Sequence, residues 1–342
     1  MNPGARRTLG RTDVEVTALG FGAAPIGGFR ATMPDRDALA ILDAAWDAGV
    51  RYYDTSPFYG HGRSELRVGT ALRDRPRADF TLSTKVGRVM RVLRPGEAEP
   101  AGIRKGGLPG FVPEFDYSYD GILRSIEQSW LRLGLARIDI ALIHDVDFWT
   151  LKDHDRLERH FRQVMEGGYR ALHELRAAGV IGAIGCGLND SAMCARFLRA
   201  GDFDCMLLAG RYTLLEQGAL EDLLPDCERR ACSIILGGPF NSGLLAGPVR
   251  DGAWYDYAPA PPAILDRARR LEAVCARHGV KLPAAALQFP LAHPAVVSVI
   301  PGALAAHEVA QNAAHLQRAI PPALWAELRH EKLLHAAAPV PA

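Results

Sequence analysis

Short apolar runs recur eight times along this chain, and each is followed by a stretch with helical spacing. The runs are a strand within TALGFGAAPIGG (17–28), RYYD (51–54), FTLSTKV (80–86), IDIALIH (138–144), IGAIGC (181–186), DCMLL (204–208), SIIL (233–236) and VVSVI (296–300). Between the first two, Leu39, Ile41, Leu42, Ala45 and Trp46 fall on one face of a helix over 35–49. Helices are expected likewise over 64–73, 119–133, 163–178, 191–199, 219–230, 264–278 and 283–292. Strictly alternating strands and helices specify a parallel sheet with crossover helices. Eight such units in 342 residues favour a closed (β/α)8 TIM barrel over an open doubly wound sheet. The opening segment RTLGRTDVEV predicts an N-terminal β-hairpin with Gly10 near its turn, and 307–316 and 322–334 predict extra C-terminal helices. No linker interrupts the pattern, so a single domain over 1–342 is expected, with APAPPA (258–263) as a loop. The stretch 88–117 is too long and too rich in Gly and Pro for a minimal connection, and should hang over one mouth of the barrel.

Charge adds exclusions. Lys plus Arg number 40 against 39 Asp plus Glu, with no basic stripe for nucleic acid and no acidic tail. Six cysteines are scattered without a CxxC pair, which suits free thiols in a reducing compartment rather than disulfides or a metal site. The N-terminus has no apolar signal core and no run approaches a membrane span. A cytoplasmic protein without metal, membrane or nucleic-acid partner is expected, its oligomeric state open.

Four polar residues stand at or just beyond strand ends: Asp54 closes RYYD, Tyr59 follows in DTSPFYGHGRSE, Lys85 lies near the end of FTLSTKV and His144 ends DIALIH. In a parallel barrel, strand C-termini share one mouth, where catalysis takes place. Taken singly, Asp54 is also a turn cap, Tyr59 a packing aromatic, Lys85 a surface charge and His144 a core histidine. Together they compose a proton-transfer site. A Lys beside a Tyr favours phenolate, an Asp holds the Lys charged, and a His bonds a substrate oxygen.

With these motifs the chain resembles the aldo-keto reductase family. The matching segments are GFGAAPIGG, DTSPFYGHGRSE, LSTKVG, LIHDVD, RAAGVIGAIGCG, GGPFNSGLLAG and VIPGALAAHEVAQN, in order across about residues 6–317. The resemblance implies a nicotinamide-dependent barrel enzyme. In it Tyr59 is the acid/base, Lys85 lowers its pKa, Asp54 partners Lys85 and His144 orients substrate.

Cofactor positions depart from the family pattern. Gly187 and Leu188 stand where a Ser-Asn pair is usual, so Asn189 is expected to take the carboxamide contact. Ala209 replaces the usual Gln, and Gly237 the usual ring-stacking aromatic. Phe240 and Ser242 are candidate liners of the pyrophosphate groove, with plain packing the alternative for Phe240. Gly302 and Glu308 stand where NADP-preferring members carry a Lys and an Arg. A carboxylate repels a 2′-phosphate and accepts from a free 2′-hydroxyl, so NAD is the expected cofactor. Glu308 also suits a first-turn helix position, and Asn312 matches the adenine-contacting residue. HDVDFW, VMEGGYRAL and LLAGRYTLLEQ resemble the aldose 1-dehydrogenase branch (L-fucose and D-threo-aldose types). Pyridoxal 4-dehydrogenases are similar in the same segments. The resemblance thus implies oxidation of an aldose at the anomeric carbon to an aldonolactone. Trp149 is a candidate for the sugar pocket or, alternatively, an exposed loop aromatic. Pyridoxal oxidation is the second enzyme reading, and a catalytically idle nicotinamide-sensing subunit is the alternative of another class.

Overall fold

The computed structural model describes residues 1–28, 32–98 and 106–341. Its centre is an eight-stranded parallel sheet in sequence order: Phe21–Gly22, Tyr52–Asp54, Thr81–Val86, Ile140–His144, Ala183–Leu188, Cys205–Ala209, Ser233–Gly237 and Val296–Ile300. The ring closes where Leu19 bridges Val299 in parallel, with Gly20 N–H donating to the Val299 carbonyl at 2.9 Å. This is the expected (β/α)8 barrel, in sequence order because each right-handed crossover returns the chain to the neighbouring position.

Strand alternation divides the apolar residues into two cores. Tyr52, Ile140, Leu142, Ala183, Cys205, Leu207, Ile235 and Val297 form one buried cluster inside the barrel. Alternate residues such as Tyr53, Leu82, Ile143, Ile184, Met206 and Leu236 pack outward under the helices. The hairpin Arg6–Thr8 with Glu15–Thr17 inserts Leu9 and Val16 into the inner cluster, and Gly10 N–H donates to Ser233 Oγ at 2.7 Å. The barrel floor is therefore plugged, and only the opposite mouth is left for chemistry.

The helices follow the apolar spacing, and local chemistry sets their ends. Helix Tyr119–Leu133 is capped by the Ser118 hydroxyl, which accepts from Gly121 N–H, and stops at Gly134 with φ of 62°. The helix expected over 163–178 begins earlier, at His154–Gln163, and passes through a π turn at Val164–Gly168 into Tyr169–Ala177. A Cβ on Gly168 would stand 2.7 Å from the Tyr117 carbonyl, so a larger residue there would press on that neighbour. The strand expected over 181–186 runs to Leu188, which brings Gly187 and Leu188 into the sheet.

Two segments expected as loops contain paired strands. Arg88–Val92 pairs antiparallel with Phe111–Phe115, so the two ends of 88–117 form a β-ribbon; 99–105 lie outside the described residues. Ala258–Pro259, within the proline-rich segment, pairs with Trp254–Tyr255. Asp256 and Tyr257 turn this second hairpin with φ of 48° and 64°, as a two-residue hairpin turn requires. Proline is tolerated here because the ribbon is an isolated edge. All six cysteines are buried and unpaired. Among the described residues no helix is long and apolar enough to cross a membrane.

Candidate active site

Register brings the polar strand ends together. Asp54 pairs with Ser83 across the second and third strands, and Lys85 with Leu142 across the third and fourth. His144 pairs with Gly187 across the fourth and fifth. With a period of two, Asp54, Lys85, His144 and Gly187 all point into the barrel at its C-terminal mouth. Gly187 has a steric reason to be glycine: a Cβ there would lie 3.2 Å from Lys85 Cε and 3.4 Å from Cδ.

Lys85 is 1% exposed and donates to Asp54 Oδ2 at 2.7 Å and to the Thr55 carbonyl at 2.9 Å. Asp54 Oδ1 accepts from Ser83 Oγ at 2.7 Å. Burial pushes the Asp54 carboxyl up, against the downward pull of Lys85 and Ser83. Lys85 Nζ stands 4.7 Å from the centroid of the Tyr59 ring, and that ring lies edge-on to His144 with centroids 5.9 Å apart. Asp54, Tyr59, Lys85 and His144 thus line one cavity.

The influence on the phenol differs from the expected one. Burial pushes Tyr59 well above its ordinary pKa, and Asp54, Tyr257 and Asp145 push it further, with Arg88 opposing. Burial outweighs any lowering by the nearby Lys85 ammonium, which Asp54 holds at ion-pair distance. The contact of Lys85 with Tyr59 is through the ring face. The site therefore presents Tyr59 as a strong proton acceptor once ionised, rather than as a resident phenolate.

Around His144 lie residues that the sequence reading did not single out. Arg88, 3% exposed, lies 2.7 Å from His144 Nδ1 and donates to Asp145 Oδ2 at 2.8 Å. Its guanidinium packs over the Phe58 and Phe115 rings, 4.2 and 4.5 Å from their centroids. Gly87, with φ of 94°, turns the chain from the third strand into this ribbon. The available signal was an Arg three residues beyond Lys85 in an otherwise apolar stretch. Asp145 immediately follows His144 in LIHDVD, and its φ of 55° turns its carboxylate to the same mouth. Burial, then Arg88, then Lys85 lower the His144 pKa well below its ordinary value, so the ring is neutral.

The cavity has a volume of about 480 Å³ and also contains the cofactor candidates Asn189, Phe240, Ser242, Gly302, Glu308 and Asn312 in its lining. Asn189 donates N–H to Asp147 Oδ2 at 2.8 Å, accepts from Arg211 Nε at 2.9 Å, and places its amide 3.5 Å from Asp145 Oδ1. Ser242 Oγ accepts from Tyr257 N–H at 3.2 Å, which ties the second hairpin to the groove. Arg211 grips Asp256 with both terminal nitrogens, at 3.1 and 2.8 Å. Phe240 both lines the cavity and packs on the outer core. Glu308 is in the first turn of helix Ala306–Gln317, and its Oε2 accepts from Leu304 N–H at 2.7 Å. Its helix-start role is thus present, while the residue still faces the cavity. Trp149, on the short helix Phe148–Leu151, lines the same space with its ring 5.3 Å from that of Tyr257. Tyr257 had no signal in the sequence, because a hairpin turn places it there.

These features accord with the sequence comparisons. The Aldo/keto reductase family matches residues 18–330. Pyridoxal 4-dehydrogenase of Microbacterium luteolum is 43% identical over 337 residues, covering 96% of this chain and 98% of its own. D-threo-aldose 1-dehydrogenase of a Pseudomonas species is 43% identical over 327 residues, covering 93% and 95%. The holo structure of an aldo-keto reductase from Bacillus halodurans superposes with a TM-score of 0.73 at 26% identity, over 97% of each chain.

Proposed function

The chain belongs to the aldo/keto reductase family, whose members use nicotinamide cofactors, and on that premise we propose that it oxidises the anomeric carbon of an aldose with NAD. The substrate is a sugar of L-fucose or D-threo-aldose type and the product an aldonolactone. The observation that carries this reading is one cavity lined both by Asp54, Tyr59, Lys85 and His144 and by Gly302, Glu308 and Asn312. A proton-transfer centre and a groove for a dinucleotide are continuous.

The lining fits a nicotinamide dinucleotide. Gly187, Gly237, Gly238 and Gly302 keep the walls low where a flat ring and a pyrophosphate have to approach backbone. Asn189 would hold the carboxamide, Ser242 and Phe240 would flank the pyrophosphate, and Asn312 would contact adenine. Around Glu308 the described lining residues include no Lys or Arg, and Lys85 is the cavity's one permanent cation among them. Two missing cationic contacts and one carboxylate would disfavour a 2′-phosphate, and about 1.4 kcal/mol is a factor of ten in affinity.

Tyr59 takes the proton of the anomeric hydroxyl as its C–O bond becomes a carbonyl. A nicotinamide, when bound, would supply the acceptor for the hydride that leaves the same carbon. Lys85, fixed by Asp54 and Thr55, places its charge against the Tyr59 ring as the phenolate is used. His144 donates to the reacting oxygen. Trp149 offers an aromatic face to sugar CH groups. The same residues suit the ring hemiacetal of pyridoxal, and the relative from Microbacterium luteolum keeps that second reading in play.

The deciding experiment is a screen of aldoses and pyridoxal with NAD and with NADP, following absorbance of the reduced cofactor. NAD-dependent turnover of an aldose, at a kcat/KM above that for pyridoxal, is expected. Turnover of pyridoxal alone would replace the sugar assignment, and equal use of NADP would remove the NAD assignment. We place the enzyme in the cytoplasm, in keeping with its six free thiols.

A further inference from the structure

His144 Nδ1 faces two polar partners, Ser56 Oγ at 3.2 Å and a terminal nitrogen of Arg88 at 2.7 Å. They differ in what they demand of it. A serine hydroxyl donates or accepts, so Ser56 suits either imidazole tautomer. A guanidinium has five donors, no acceptor, and does not deprotonate in proteins. A ring nitrogen 2.7 Å from Arg88 must therefore accept. That leaves Nδ1 bare and puts the ring proton on Nε2.

We propose that Arg88 is the positioning residue of the site, setting His144 in the Nε2–H tautomer so that this hydrogen is the donor to the reacting oxygen. The consequence for turnover rests on the sugar-oxidising reading above, whereas the tautomer does not. Arg88 is built for the task. Its guanidinium packs over the rings of Phe58 and Phe115, and Ser125 Oγ donates to its carbonyl at 3.0 Å. The second arm of the fork binds Asp145 Oδ2, which balances the buried charge. Asp145 Oδ1, an acceptor 3.4 Å from His144 Nε2, favours the same tautomer more weakly than Arg88 does at 2.7 Å. Lys85 from the third strand and Tyr59 from the loop after the second face the same ring, and the Tyr117 hydroxyl donates to the His144 carbonyl at 2.5 Å. Of these groups, Arg88 makes the shortest contact with a ring nitrogen and sets most strongly which one carries the proton. A Lys cannot fill the role in full, since it has no planar fork to bind imidazole and carboxylate together.

The test is nitrogen NMR of protein labelled at histidine, with His144→Asn used to assign the signal. Wild-type His144 should show a bare Nδ1 and a protonated Nε2 from about pH 5.5 to 8, across the ordinary histidine range. Arg88→Gln offers Nδ1 both a donor and an acceptor, so both tautomers should appear, and kcat/KM should fall at least about 10–100-fold, the range seen when outer partners that orient metal-ligating histidines are removed. NAD affinity should stay within about twofold. Arg88→Lys keeps a donor and should retain the wild-type tautomer with partial activity. The double variant Arg88→Gln with Asp145→Asn removes the unpaired carboxylate, and should show the same mixed tautomers in a stable fold. An unchanged His144 tautomer in Arg88→Gln or in the double variant overturns the proposal. So does wild-type kcat/KM with an unaltered pH profile. If no aldose is oxidised by the wild-type protein, the sugar reading fails and the tautomer measurement still decides the role of Arg88.

Discussion

Replacing Lys85 by Met removes one partner of a buried ion pair whose Nζ–Oδ2 separation is 2.7 Å, with both side chains at most 3% exposed. Such a loss leaves a carboxylate without compensation, and breaking buried pairs in this way costs about 3–5 kcal/mol. Unfolding entropy is about 2.1 cal/mol/K per residue, so 342 residues give about 0.7 kcal/mol/K. The expected drop in Tm is then about 4–7 °C. Asp54→Asn should destabilise similarly by stranding the ammonium. The double variant Lys85→Met with Asp54→Asn should recover most of the loss, because neither charge remains. The pH dependence has a definite sign. Burial already raises the Asp54 carboxyl, and Lys85 is its largest downward influence. Without Lys85 the folded pKa rises further above the unfolded value near ~3.9. Stability conferred by the protonated acid is complete below that value and is lost as pH rises through the folded pKa, so the deficit of Lys85→Met should be smaller at pH 5 than at pH 8. Circular dichroism melts of wild type, both single variants and the double variant, at one scan rate, measure this. Turnover should be lost in all three variants and not restored in the double. A double variant no more stable than Lys85→Met, or a single-variant loss below about 1 kcal/mol, would refute the ion-pair reasoning.

Further outcomes concern turnover and cofactor choice. Tyr59→Phe should lower kcat by about 10²–10⁴ with NAD binding nearly intact, and stopped-flow rates with cofactor titrations check both. Oxidation should rise into the alkaline range, because Tyr59 is pushed well above its ordinary value and has to lose a proton before accepting one. His144, pushed well below its own, should add no inflection near ~6.5. A wild-type profile peaking below neutrality would contradict both assignments. Gly187→Ser should crowd Lys85, whose Cε lies 3.2 Å from the new Cβ, and should lower kcat more than it raises the KM for NAD. Glu308→Arg, with Gly302→Lys, should move the NAD/NADP ratio of kcat/KM toward NADP through KM, with sugar preference unchanged. It should also lower Tm slightly through loss of the bond to Leu304 N–H.

The barrel was legible because its signal is local and repeated. Each apolar run and each helix face states its own period, and eight repeats leave few topologies. The strand Val296–Ile300 and the helix Tyr119–Leu133 begin and end where the residues alone place them. Asp54, Lys85 and His144 were legible for a related reason: alternation along a strand predicts which residues face inward, and parallel order puts all strand C-termini at one mouth. What the tertiary structure decided is how those groups act on one another. A Lys near a Tyr in sequence implies a lowered phenol pKa, yet the folded site binds the Lys charge to Asp54 and buries the phenol. Arg88 reaches His144, and Tyr257 reaches the cavity, from ribbons whose strands are too short, or too rich in proline, to be recognised by period. Glu308 reads as a cofactor discriminator in sequence, and the fold adds its bond to the start of its own helix. Which residues are polar at strand ends is written in the chain, while the partner each one finds depends on distances of 2.7–3.5 Å that arise only when distant segments are packed together.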